Sequence, residues 1–204
     1  MSPINAISRR QALKGSLVLP LVAGLGAASA SLSSAGAVAL QPRQGSKVLV
    51  AYFTRTGNTR LIATQIARAR KAELFQIVSA DPYPEDYEAQ VAQATEETRR
   101  GYEPPLQAVV PALSSYETVF LGFPIWGTTA PPIIRSFLSN HDLSGKTLVP
   151  FITHGGYGLG SSLDVVAEHA PGASLIKAFS KECDQERETL TEVMQWLETT
   201  GAQP

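Results

Sequence analysis

"KVLVAYFTRTGNT", Lys47 to Thr59, joins a continuous apolar run to a loop of three threonines, a glycine and an asparagine. An apolar run without polar alternation suits a strand covered on both faces, as in a parallel sheet between two layers of helices. The loop lacks the lysine and spacing of a nucleoside triphosphate loop, and no G-x-G-x-x-G pattern occurs anywhere in the chain. It can still hold one phosphate. The hydroxyls of Thr54, Thr56 and Thr59, the Asn58 side chain and free N–H groups at a helix start form a cup of donors, and Gly57 permits the tight turn. Arg55 either joins that cup or points to solvent. Taken alone, the loop fits an ordinary capped turn equally well.

Outward from this stretch, strands and helices alternate. Ile62, Ile66 and Ala69 share a helical face, with Arg60, Arg68 and Arg70 toward solvent, and "ELFQIV" (residues 73–78) reads as a second strand. In the long insertion 79–107, Tyr87, Val91 and Ala94 give helical spacing over about 85–100, ended by Gly101, while Glu96, Glu97, Arg99 and Arg100 read as a solvated face. That insertion either caps a pocket or covers a sheet edge. "TVFLGF" (118–123), "KTLVPFI" (146–152, despite Pro150) and "SLIKAF" (174–179) are the third, fourth and fifth strands. Pro131 and Pro132 mark a helix start with Ile134, Phe137 and Leu138 inward; Ser161 or Ser162 caps another helix; Leu190, Val193, Met194 and Leu197 trace the last. The pattern predicts an α/β fold, a three-layer, doubly wound, five-stranded parallel sheet. Such sheets bind ligands beyond the carboxyl ends of their strands, where the strand order reverses.

The unusual residues collect at those ends. "PIWGTTAPP" follows the third strand and "THGGYGLG" the fourth. Trp126, between Ile125 and Gly127, is costly to expose; a flat ligand stacked on it is one solution and a core-facing ring the other. The amides of Gly155 and Gly156, unscreened by side chains, suit the edge of a heterocycle. One phosphate site and one planar ring describe flavin mononucleotide (FMN) better than a dinucleotide.

"VAYFTRTGNT", "LGFPIWGTTAPPIIRSFL", "LSGKTLVPFITHGGYGLGSS" and "YPEDY" together resemble the flavodoxin family, in its branch with a TGNT and an HGG loop. The resemblance implies the strand order 2-1-3-4-5 and noncovalent FMN. Carried over by motif, Thr54, Thr56, Gly57, Asn58 and Thr59 hold the phosphate. Pro124, Ile125, Trp126 and Gly127 flank the ring, and Thr153, Gly155 and Gly156 line its other edge, with His154 beside it. His154 is expected to anchor its loop rather than relay a proton. The chain departs from the family at Gly127, where many members carry a second tryptophan, and at Thr128 and Thr129, where electron carriers often have acidic residues. Tyr157 is a candidate for the second face of the ring, although a surface loop residue reads more simply. Gly127 would let the peptide after the tryptophan turn at low steric cost.

The totals agree with a single domain: 204 residues, 44% hydrophobic and 17% charged. Before the first acidic residue, Glu73, stand Arg9, Arg10 and Lys14, then "SLVLPLVAGLGAASA" and several A-x-A patterns. This reads as a signal peptide and processing region over residues 1–39, with a linker at 40–46 and the FMN-binding domain at 47–200. "SRRQALK" resembles the twin-arginine pattern, with Ala12 in place of the usual phenylalanine. Export to the periplasm as a folded, flavin-loaded protein is the expectation, with no stable membrane insertion after cleavage. No basic run suggests nucleic-acid binding. A lone cysteine, Cys183, forms no intrachain disulfide, and His141, His154 and His169 lack metal-ligand spacing. No catalytic side chain stands out. The expected role is electron transfer through the flavin to a redox protein partner; the alternative is an NAD(P)H-dependent flavin or quinone reductase, possible as an oligomer, and a fold that has lost its flavin is the third reading.

Overall fold

The computed structural model describes residues 47–182 and 186–200. The segments read as signal peptide and linker, Cys183 and the side chain of Leu190 lie outside the described residues. Along the chain run β1 (Val48–Tyr52), α1 (Asn58–Arg70), β2 (Glu73–Gln76), α2 (Tyr87–Arg100), β3 (Thr118–Pro124), α3 (Pro132–Ser139), β4 (Thr147–His154), α4 (Ser162–His169), β5 (Ser174–Leu175), β6 (Phe179–Glu182) and α5 (Glu186–Thr199). The sheet is parallel, in the order β2-β1-β3-β4-β5, and β6 pairs with β4 as well.

The fifth strand is therefore split. Leu148 accepts a hydrogen bond from the Ile176 N–H at 2.9 Å, so its edge faces the fifth strand. Two residues on, Pro150 faces the same edge with no N–H to donate. The strand expected over 174–179 breaks there and resumes at Phe179, running to Glu182. The proline costs the edge strand its continuity, not β4 its place.

Alternation along β1 feeds two cores. Leu49, Ala51 and Phe53 meet Ile133, Ile134 and Phe137 of α3 and Val165 and Val166 of α4. Val48, Val50 and Tyr52 meet Ile62, Ala63, Ile66 and Ala67 of α1 and Val193 and Leu197 of α5. Two expectations for α1 are corrected. The buried stripe advances through 59, 62, 63, 66 and 67, which leaves Ala69 exposed. Arg70 does not face solvent either; its guanidinium donates to the Leu197 carbonyl and ties α1 to α5. Of the residues that trace the last helix, Val193 and Leu197 are buried and Met194 is 39% exposed.

Away from the strand ends, His141 is a structural link. It lies buried beyond α3, with Nδ1 2.7 Å from the Phe137 carbonyl, and Nε2 accepts from the Val110 N–H at 2.8 Å. Only the neutral ring with its proton on Nδ1 satisfies both bonds. Burial lowers its pKa, partly opposed by the bond to Phe137. A folded value below the unfolded one means that the stabilisation is complete above about pH 6.5 and is lost as pH falls through the lowered folded value. Thermal melts are expected to show an acid-side decline in Tm that is shallower in His141→Gln; equal slopes in the two proteins would contradict this role.

Candidate functional site

The carboxyl ends of β1, β3 and β4 open into two adjoining clefts, of about 500 and 490 Å³. The first is lined by Arg55 and Thr56, by Pro124–Gly127, by Thr153–Gly155 and by α2; the second by Phe53–Thr56, the chain after β2 and Trp126. The three loops singled out in the sequence come together here.

In the first loop, Thr54 Oγ1 accepts from the Gly57 N–H at 3.1 Å, and Gly57 takes a left-handed φ of 99°. No side chain caps α1, and its first turn holds no acidic residue. The leading amides of Asn58 and Thr59 are thus served by no capping oxygen, and the dipole there favours an anion. Thr59 is buried, and its hydroxyl lies 2.9 Å from that of Thr153, so it joins this loop to the end of β4. The Arg55 guanidinium sits over the Tyr87 ring, 5.4 Å from its centroid, and donates to the Glu85 carbonyl at 3.5 Å. Arg60, expected only in solvent, is exposed but brings Nη2 within 3.7 Å of the position a Gly57 Cβ would occupy. A cation therefore stands beside the donor cup.

The second loop is a tight turn. Trp126 and Thr129 exchange backbone hydrogen bonds at 3.0 and 3.2 Å, and both residues between them have positive φ: 55° at Gly127 and 71° at Thr128. Glycine meets that requirement without strain, and threonine does not. Trp126 packs on the core and also borders the clefts. Half-buried on the core, it meets Phe53 (5.2 Å, 78°) and Tyr83 (4.9 Å, 88°) edge to face, and it lines both clefts.

In the third loop, His154 Nδ1 accepts from the Gly156 N–H at 3.1 Å, so the ring braces its own loop. The second and third loops are stapled together: the Ser161 N–H donates to the Thr128 carbonyl at 3.0 Å, and Ser161 Oγ to Thr129 Oγ1 at 2.9 Å. Ser161 holds the N-cap position of α4 but spends its hydroxyl on this staple rather than on the helix. Tyr157 is 84% exposed and lines neither cleft.

Of the two roles left open for the 79–107 insertion, α2 takes the first, lining the cleft. Asp86 caps it, accepting from the Ala89 N–H at 2.8 Å, and Gly101 ends it with φ 62°. Its faces match the expected ones only in part, for Ala94 is buried and Glu96, Arg99 and Arg100 are exposed as read. Gln90, Ala94 and Glu97 are buried, whereas Tyr87 and Val91 are exposed along the cleft. Glu97 is not solvated; it accepts from the Tyr83 hydroxyl at 2.9 Å and from Gln93 at 2.8 Å. Burial, then the bond and charge of Glu97, drive the Tyr83 pKa far upward, so the phenol stays a donor. A chain of contacts thus runs from Trp126 through Tyr83 to α2. The only advance signal was the polar residues interleaved at helical spacing. Among the described residues, no group of three His, Cys, Asp or Glu side chains could hold a metal ion, and no helix is long and apolar enough to cross a membrane.

Comparison with known proteins agrees with this arrangement. A family model described as flavodoxin matches residues 47–200. A crystal structure of a protein assigned as a flavoprotein from Bacteroides eggerthii is 31% identical, with 74% of this chain and 96% of that one covered, at a TM-score of 0.65. Another from Bacteroides uniformis is 30% identical, covering 76% and 99%, at 0.67. A Lactobacillus acidophilus flavoprotein in complex with FMN shares the fold at 20% identity, covering 72% and 99%, with a TM-score of 0.60. No curated protein matches.

Proposed function

Because the chain belongs to the flavodoxin family, matched over residues 47–200, we propose that it transfers electrons through FMN held at the carboxyl ends of β1, β3 and β4. The observation that carries this reading is the convergence of three loops around one cleft: Arg55 and Thr56 ahead of an uncapped helix start, a tryptophan turn and a glycine loop. The donor set fits the cofactor. Thr54, Thr56, Asn58 and the first amides of α1 receive the phosphate, with Arg55 and Arg60 adding positive charge. Trp126 and Gly127 bound the ring on one side, and Thr153, His154, Gly155 and Gly156 on the other. When bound, FMN supplies one- and two-electron transfer; the chain positions it, shields it and sets its potential. The twin-arginine-type start of the chain supports export with the flavin already in place.

One observation favours the second reading, an NAD(P)H-dependent reductase. Helix α2 walls the cleft with Tyr87, Val91 and Ala94, giving a small planar acceptor an apolar surface beside the flavin loops. Mixing the flavin-loaded protein with NADPH and a quinone under anaerobic conditions separates the two. Bleaching at 450 nm followed by quinone-dependent recovery is the reductase result; no bleaching, with reduction only by a partner reductase, is the carrier result.

A further inference from the structure

Gln90 is the least explained side chain near the site. It is 4% exposed, and among the described residues its Oε1 is buried without a hydrogen-bond partner. An amide carbonyl in that state destabilises the protein unless something donates to it. Neighbouring groups of α2 are satisfied by contrast: Glu97 by Tyr83 and Gln93, and the start of the helix by Asp86. Leucine at position 90 would fill similar volume without the penalty.

Its position says what the donor is. Gln90 lines both clefts, together with Arg55, Thr56 and Trp126. Thr56 belongs to the loop read as the phosphate site, and Trp126 to the loop read as the ring site. The part of FMN between phosphate and ring is the ribityl chain, which carries three hydroxyl groups, each able to donate. The buried Thr59–Thr153 pair, which joins the first loop to the end of β4, has its hydroxyls committed to each other. The amide of Gln90 is therefore the polar group on the α2 side still in need of a partner.

We propose that Gln90 hydrogen-bonds the ribityl chain of bound FMN, making α2 a wall of the cofactor site rather than a cover for the sheet. This rests on the FMN reading above. Family contacts carried over by motif lie in the three strand-end loops, and α2 is a fourth contributor.

The test compares the apo and flavin-bound states of the full-length protein. Gln90→Leu removes an unmet acceptor from the apo form, so its apo Tm is expected to be unchanged or raised. Its affinity for FMN, read by fluorescence titration, is expected to fall between about threefold and tenfold, the span of one neutral hydrogen bond. Riboflavin, which keeps the ribityl chain, should weaken by the same factor, and lumiflavin, which lacks it, should not. Gln90→Met repeats the measurement with an unbranched side chain in case leucine packs poorly. Unchanged FMN affinity in both variants would overturn the contact. So would equal weakening of lumiflavin, or a fall in apo Tm matching the lost affinity, since either points to a role in folding alone. The unmodified protein is the control: if it binds no flavin, the functional reading fails first, a result distinct from a variant that binds as well as its parent.

Discussion

Gly160→Ala is expected to disable the flavin site while leaving the sheet intact. Gly160 sits in the left-handed region, with φ 51°, and an added Cβ would stand 1.8 Å from the Thr128 carbonyl oxygen. That oxygen is the acceptor for the Ser161 N–H and part of the staple between the second and third loops. The backbone conformation alone costs about 1–2 kcal/mol for a residue with a Cβ. The approach to a carbonyl cannot be relieved by rotating a side chain, so the loops must separate. Overpacking of this kind adds about 1–3 kcal/mol. Trp126 and Gly127 would shift against His154 and Gly155. FMN affinity is expected to fall by at least about tenfold, with a far-ultraviolet circular dichroism spectrum like that of the parent. Parental affinity would show that the staple does not shape the site.

The second large effect lies in the sheet. Gly122 on β3 pairs with Phe151 on β4, and a Cβ at 122 would meet the Phe151 ring at 2.0 Å. Phe151 is fully buried in the layer beneath α1 and α5, so its ring has little room to retreat. Gly122→Ala is expected to destabilise by about 2–4 kcal/mol, and Phe151→Ala by about 3–5 kcal/mol through the cavity left behind. In the double variant the new methyl group enters the vacated space. Its loss should therefore be smaller than the sum of the two, by about 1 kcal/mol or more in a denaturant-unfolding cycle. Additive losses would mean that the contact is relieved elsewhere.

These cases show which features were open to sequence reading. β1, β3 and β4 were legible because strands buried on both faces need apolar residues at every position, and here those runs are short and bounded by turn residues. The strand-end loops were legible because tryptophan, glycines and hydroxyls in surface turns have few structural uses. What stayed hidden depended on tertiary pairing. Pro150 interrupts its neighbour, not its own strand, and the register of a neighbour is not written locally. Gly160 reads like any loop glycine until Thr128 is brought against it. Helix α2 misled most: an apolar stripe normally marks the buried face, yet Tyr87 and Val91 face a cleft while Gln90 and Glu97 turn inward. Local rules fail in this way where a ligand supplies the missing contacts.

Every functional statement depends on a single ligand. The direct measurement is titration of the purified, folded protein, stripped of bound cofactor, with FMN, followed by flavin fluorescence and by Tm. Saturable one-to-one binding is expected, with a rise in Tm that grows with FMN concentration and is reduced in Gly160→Ala. A folded protein that neither quenches nor otherwise alters flavin fluorescence, and whose Tm does not respond to excess FMN, would contradict the account.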